Sequence, residues 1–184
     1  MNNPVHDIIL VNERDEQVGT MGKMDAHRKA LLHRAFSVFI FNNKGEMLLQ
    51  QRARNKYHSA GLWTNACCSH PIPGETTLAG AQRRLKEELG FVVPLQKAFD
   101  FIYKAGFDNG LTENEFDHVF IGEYNGEIRP DPSEVSAFCY KSMDVIRKEL
   151  EADPEKYTAW FAIAFPLLEA YRKRNLNKQT DKTR

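Results

Sequence analysis

Residues 64–91 read TNACCSHPIPGETTLAGAQRRLKEELGF, and the fold class turns on how this stretch is arranged. Cys68 and His70 are two residues apart, so in an extended strand they project to one face while Cys67 projects to the other. Pro71-Ile72-Pro73-Gly74 is turn chemistry that redirects the chain. Glu75, Thr76 and Thr77 supply a helix start, residues 78–89 carry the helix, and Gly90 ends it. On that helix Arg84 is spaced to neighbour Glu87 and Glu88. A thiol, an imidazole and paired carboxylates therefore meet at one strand–loop–helix corner, which is a reactive, metal-binding combination.

Working outward, residues 8–11 and 18–21 read as a hairpin about a turn at 12–17. His27 and His33 are six apart, which on an ideal helix sets them roughly 240° from each other. A site shared by both calls for a loop running into the next strand, not one regular helix. Residues 35–41 and 47–52 flank a Gly-containing turn and read as a central hairpin. Residues 98–107 and 116–124 read as strands about Asp108-Asn109-Gly110, Asn125-Gly126 is a hairpin signal, and 135–140 is a further strand. The apolar period turns helical over 143–151 and 155–174, with Pro154 at a helix start. Mixed strands, one mid-chain helix and two at the end predict α+β, or a three-layer α/β/α sandwich.

A chain of 184 residues suffices for one domain. Such a domain buries roughly 70% of its unfolded surface. Residues 1–174 are assigned to it, and the polar, basic stretch 175–184 is expected to be a disordered tail. Lys plus Arg and Asp plus Glu number 25 each, so no net field points to nucleic acid or to an acidic membrane surface. The richest apolar runs, 35–41 and 160–168, are too short to span a bilayer. Three cysteines, two of them adjacent, make no disulfide framework, and the polar N-terminus has no secretory leader. A cytoplasmic protein is expected.

His27, His33, His70, Glu113 and Glu115 offer three imidazoles and two carboxylates, a donor set for Mn²⁺, Mg²⁺ or Zn²⁺ with room for a sixth ligand. Each alone also fits a plainer role: a lone histidine is more often a surface or hydrogen-bonding residue, and Glu-Asn-Glu a solvated turn. Cys68 shares parity with His70, and near a cation its thiol pKa is expected to fall. The alternative is a small buried hydrophobe, the role assigned to Cys139. Lys23, Arg52, Lys56 and Arg84, from four segments, either clamp a diphosphate or are ordinary solvated charge. Trp160, Phe161 and Phe165 are helix core, or an aromatic face turned to a cation. His6, His58 and His118 are taken as structural or surface residues.

Ser69 to Phe91 resembles the Nudix box, G-x5-E-x7-R-E-U-x-E-E-x-G-U with U aliphatic. Glu75, Arg83, Glu87, Glu88 and Gly90 stand where the box has them; Ser69 replaces its first glycine, and Arg84 the glutamate after its arginine. That second change puts a cation where a Nudix hydrolase presents a metal-binding carboxylate, and it argues against diphosphate cleavage. With LLHRAFSVFIFN at 31–42, MLLQQRA at 47–53, WTNACCSHP at 63–71 and TENE at 112–115, the chain resembles the type 1 isopentenyl-diphosphate Δ-isomerases over about residues 23–160.

The resemblance implies a Nudix-type fold with a mixed β-sheet between helices. It also implies interconversion of isopentenyl and dimethylallyl diphosphate: the terminal alkene carbon gains a proton, a tertiary carbocation forms, and C2 loses a proton. Cys68 and Glu115 are then the acid/base pair, with Tyr103 assisting Glu115. His27, His33, His70, Glu113 and Glu115 match the family's metal ligands. Glu88 and the backbone carbonyl of Cys68 match ligands of a second ion, Mg²⁺, bridging to the diphosphate. Lys23, Arg52, Lys56 and Arg84 match the diphosphate contacts, and Trp160 the aromatic facing the cation. Such a cation needs a dry pocket, so the N-terminal segment and the final helix are expected to close over it. The rival assignments are a Nudix pyrophosphohydrolase of a nucleotide diphosphate and a non-catalytic zinc-binding module.

Overall fold

The computed structural model describes the backbone of residues 7–181 and the side chains of residues 7–175. The chain runs β1 (Asp7–Val11), β2 (Gln17–Gly22), α1 (Lys23–Arg28), β3 (His33–Phe41), β4 (Met47–Arg52), β5 (Trp63–Asn65) and β6 (Cys67–Ser69). It continues through α2 (Thr77–Leu89), β7 (Gln96–Gly106), β8 (Thr112–Glu123), β9 (Val135–Lys141), α3 (Met143–Ala152), a 3-10 turn (Pro154–Lys156) and α4 (Ala159–Asp181).

β3 organises one mixed sheet. Along one edge it pairs in parallel with β8, from His33↔Glu115 to Phe41↔Glu123. Its other edge is shared by β1 at His33, β6 at Phe36 to Val38, and β4 at Phe41. The two-residue period of the strands then builds two cores. Phe36, Val38, Ile40, Leu48 and Cys67 pack against Ala81, Leu85 and Leu89 of α2. Phe39, Phe41, Met47, Leu49 and Val119 pack against Phe161, Phe165 and Leu168 of α4. Burying each large aliphatic or aromatic side chain contributes about 1.5–3 kcal/mol. This is the α/β/α sandwich expected from the sequence.

α2 begins where Thr76 Oγ1 accepts from the Ala79 N–H (3.1 Å) and ends at Gly90, whose φ is 80°. A side chain at Gly90 would also meet the Arg129 carbonyl at 2.6 Å.

Several local expectations change. The 35–52 hairpin is paired only at Phe41↔Met47 and then splays, because β6 fills the edge of β3 while β5 and β9 take the edges of β4. Asn65 holds that gap, its Nδ2 donating to the carbonyls of Val38 and Cys67, each at 3.0 Å. Asn125-Gly126 makes no hairpin: the loop crosses to α2, where the N–H groups of Arg129 and Asp131 satisfy the carbonyls of Leu89 and Glu88. Pro154 starts the 3-10 turn instead of the long helix, and α4 begins after Thr158 donates to the Trp63 carbonyl. The backbone of residues 175–181 continues α4 where a disordered tail is expected; residues 182–184 and His6 lie outside the described residues. Among the described residues no helix is long and apolar enough to cross a membrane.

Candidate active site and metal centre

The short helix α1 and a tight reversal after it bring two histidines together. His27 is on α1, Ala30 takes a φ of 51°, and the chain re-enters β3 at His33. The imidazole centroids end 4.8 Å apart, with His70, just after β6, at 5.6 and 5.0 Å from them. No single helix carries both, as their spacing requires. His27 Nδ1 donates to the Lys23 carbonyl (2.7 Å) and His33 Nδ1 to the Leu31 carbonyl (2.8 Å). A carbonyl can only accept, so each ring carries a hydrogen on Nδ1 and turns Nε2 inward.

Those nitrogens face strand β8, whose alternation puts Glu113, Glu115 and Asp117 on one buried face. TENE is therefore strand, not solvated turn. His27 Nε2 lies 3.4 Å from Glu113 Oε2, His33 Nε2 3.4 Å and His70 Nε2 2.8 Å from Glu115 Oε1. One ligand atom from each of the five residues falls within 4.8 Å of all the others. His27 Nε2, His33 Nε2 and Glu113 Oε2 are buried without a hydrogen-bond partner. An orphan of that kind costs about 1–3 kcal/mol, and a cation relieves three at once. The N₃O₂ donor set thus fits a divalent metal ion.

The titration behaviour follows the geometry. Burial lowers His33 to about 4 and takes His70 well below the usual imidazole range, leaving both as neutral ligands. Burial pushes the Glu115 carboxyl well above its ordinary value, and the Glu113 charge adds to this. Burial opposes ionisation of Glu113 as well, yet its contacts with His27 and His58 hold it well below the carboxylate range. Tyr103, raised by burial and by Glu115, remains a phenol and donates to Glu115 Oε2 at 2.6 Å.

Cys67 and Cys68 face opposite cores, the former buried against α2, the latter lining the cavity beside Glu115. The fall expected of the Cys68 thiol is one that a nearby cation would cause; the protein's own groups push it the other way. Burial, and after it the Asp117 carboxylate, raise it. The thiol donates to Asn65 Oδ1 at 3.0 Å and is 3.3 Å from Ser37 Oγ, which itself donates to Asp117 Oδ2 at 2.7 Å. Burial lifts Asp117 to about 7.

The basic residues divide between two connected spaces. Arg52 and Lys23 reach a small cavity of about 40 Å³ with Cys68, Tyr103, Glu115 and Trp160. Lys23, Lys56 and Arg84 line a neighbouring cleft of about 510 Å³. Trp160 joins the cavity through its ring, 5.2 Å from the Arg52 guanidinium, while its indole N–H donates to Thr64 Oγ1 at 3.0 Å. Glu88 lies outside both spaces: Gln50 donates to one oxygen at 2.9 Å and Arg84 to the other at 2.8 Å. Three participants escaped the sequence reasoning. His58 is buried with Nε2 2.9 Å from Glu113 Oε1; Glu134 bridges Lys56 and Arg84; Asp117 continues the acidic face of β8. The E-x-E-x-D parity pointed to Asp117. His118 is also buried, 3.0 Å from Asp15 Oδ2, and takes no part in the site.

Residues 31–161 match the NUDIX domain. Over 168 residues the chain is 46% identical to an isopentenyl-diphosphate Δ-isomerase of Pectobacterium atrosepticum, covering 91% of this chain and 94% of that one. It is 50% identical over 154 residues to isopentenyl-diphosphate Δ-isomerase 2 of Photorhabdus laumondii, covering 84% and 87%. The chain belongs to the isopentenyl-diphosphate Δ-isomerases of the Nudix family. Its fold is shared by a Deinococcus radiodurans crystal structure (TM-score 0.74, 21% identity, covering 87% of this chain and 97% of that one). A MutT protein from Methanosarcina mazei is similar as well (TM-score 0.63, 22% identity, 78% and 95% covered).

In this isomerase-family chain the first part of the Nudix box ties a turn to a helix. Glu75 accepts from Arg83 through both oxygens, at 2.8 and 2.9 Å, and from the Ile72 N–H at 3.1 Å, which pins the Pro-Gly turn to α2. Gly80 makes this approach possible: a Cβ there would be 2.9 Å from Glu75 Oε2 and 3.2 Å from Pro71 Cα. Arg84, the departure from the box, spends its guanidinium on Glu87 and Glu88.

Proposed function

We propose that this isomerase interconverts isopentenyl and dimethylallyl diphosphate by moving protons across a short hydrocarbon tail while the diphosphate stays intact. The observation that carries this is the lining of the small cavity. Cys68 and Glu115 share it with Trp160 and Tyr103, beside the five-residue cluster and next to a cleft with Lys23, Lys56 and Arg84.

An unactivated alkene is a very weak base, so its protonation needs a positioned acid in a dry, closed space. Glu115, whose carboxyl is raised and whose Oε2 accepts from Tyr103, is the group placed to give that proton to the terminal carbon. The tertiary carbocation then faces the Trp160 indole, and Cys68, entering the cycle as thiolate, takes the proton from C2 and becomes the thiol. The reverse reaction exchanges the two roles. A divalent ion held by His27, His33, His70, Glu113 and Glu115 would supply positive charge that lowers the pKa of the neighbouring thiol and carboxyl. Mn²⁺, Mg²⁺ or Zn²⁺ suits that donor set. Lys23, Arg52, Lys56 and Arg84 are assigned to the diphosphate, and Glu88 with the Cys68 carbonyl would hold a Mg²⁺ that offsets the diphosphate charge. Residues 1–174 act as one catalytic domain, and the cytoplasm is its assigned compartment.

The test is purified protein with Mg²⁺ and isopentenyl diphosphate, followed by NMR for the dimethylallyl isomer. Conversion without release of phosphate supports the isomerase. Phosphate or nucleoside monophosphate released from a panel of nucleotide diphosphates, with no isomer formed, supports a hydrolase instead.

A further inference from the structure

Both cluster carboxylates are held from behind, Glu115 by a hydrogen bond and Glu113 by a close imidazole contact. Glu115 turns Oε1 toward His33 and His70, while Oε2 is fixed by the Tyr103 hydroxyl. Glu113 turns Oε2 toward His27 Nε2, and Oε1 lies 2.9 Å from His58 Nε2. His58 is thus to Glu113 what Tyr103 is to Glu115.

The surroundings of His58 make this a built contact. Its ring is buried, stacked on Phe107 with centroids 4.6 Å apart and planes at 13°, and meets Tyr57 and Trp160 edge-on at 4.5 and 5.7 Å. An ionised Glu113 can only accept, so the ring hydrogen belongs on Nε2, and Nδ1 is left to accept from Ser59 Oγ at 3.2 Å. The backbone tightens the arrangement further: Ser59 has a φ of 50°, and the His58 carbonyl accepts from Arg52 at 3.2 Å.

We propose that His58 is a positioning residue of the metal centre: by donating to Glu113 Oε1 it keeps Oε2, which has no other partner, turned toward the ion. A carboxylate free to rotate would present either oxygen, or both, and lose part of its affinity to disorder. Groups that orient a ligand in this way are worth about 10–100-fold in metal affinity. The inference rests on the proposed function in one respect, that the five-residue cluster holds a divalent ion.

The test is Mn²⁺ added to metal-stripped protein and followed by EPR, with no substrate present. His58→Gln carries an amide that reaches the place of Nε2; His58→Asn stops one bond short; His58→Phe keeps the ring and loses the donor. His58→Asn and His58→Phe are expected to bind Mn²⁺ about 10–100-fold more weakly and with a broadened signal, while His58→Gln restores affinity to within a few-fold. Thermal melts of the metal-stripped variants separate a loss of fold from a loss of ligand geometry, and the Gln/Asn pair decides the matter even where Phe does not fold. Unchanged affinity in Asn, or equal loss in Gln and Asn, overturns the role of His58. Wild type that binds no Mn²⁺, or binds it as tightly as Glu113→Gln does, overturns the metal assignment itself, and the role of His58 with it.

Discussion

Two sets of carboxylates end in opposite electrostatic company. On the box corner Glu75, Glu87 and Glu88 each face an arginine, Arg83 or Arg84, at 2.6 to 2.9 Å. On β8 the acids Glu113, Glu115 and Asp117 share one buried face and meet imidazoles, a phenol and a hydroxyl; among the described residues neither Arg nor Lys pairs with them. The first set is compensated internally and holds a turn to a helix. The second has no such cationic partner, and burial pushes Glu115 and Asp117 toward the neutral form. Arg84 marks the difference in sequence, because it fills the position at which the box supplies another acid. In this chain the acids without an arginine partner lie on the strand, and those of the box corner are paired.

The sharpest way to break that contrast is at the adjacent thiols, which divide between the same two faces. Cys68→Ala should cut isomerisation by about 10²–10⁴-fold or more while the melting temperature is kept, whereas Cys67→Ala should retain substantial turnover. The opposite pattern would assign the chemistry to the wrong side of the sheet. Next in size is the support role of α2. Leu85→Ala, fully buried under the sheet, should lower stability by about 2–5 kcal/mol in urea titrations, with Mn²⁺ affinity of the folded protein unchanged. A comparable loss of metal affinity there would mean that the helix is part of the centre.

Neutralising one acid from each set compares them directly. Glu113→Gln should weaken Mn²⁺ binding by about 100-fold or more, beyond the loss typical of a residue outside the ligand set, and Glu87→Gln should leave it alone. The smallest effect is in pH. In metal-stripped protein His33, held to about 4, resists a proton that the unfolded chain accepts near 6.5. Its folded pKa is lowered, so stability falls as pH drops from 6.5 toward 4. Between pH 7 and pH 5 wild type should lose about 2 kcal/mol more than His33→Asn. Equal losses would show that this imidazole is not kept neutral by the fold.

Residue parity made much of the molecule legible. The two-residue step separated Cys67 from Cys68, and the six-residue gap between His27 and His33 excluded a shared helix, which the turn at Ala30 bears out. Thr76 and Gly90 bounded α2 because capping is local chemistry. What stayed hidden was decided by contacts distant in sequence. His58 belongs to an irregular loop whose path depends on Ser59 in a left-handed conformation and on Arg52, so no periodicity announces it. The 35–52 hairpin splays because β6, β5 and β9 compete for the same edges, and no turn motif encodes that competition. The upward push on Cys68 comes first from its burial and then from Asp117, whose nearness to the thiol arises only when β8 aligns with β3.

Isomerisation in D₂O reads the central claim most directly, with isopentenyl diphosphate, metal-loaded protein, and ¹H and ³¹P NMR on one sample. Deuterium entering the allylic product, with both phosphorus resonances still those of a diphosphate, is the expected result. Inorganic phosphate accumulating while the hydrocarbon hydrogens remain unexchanged would contradict it.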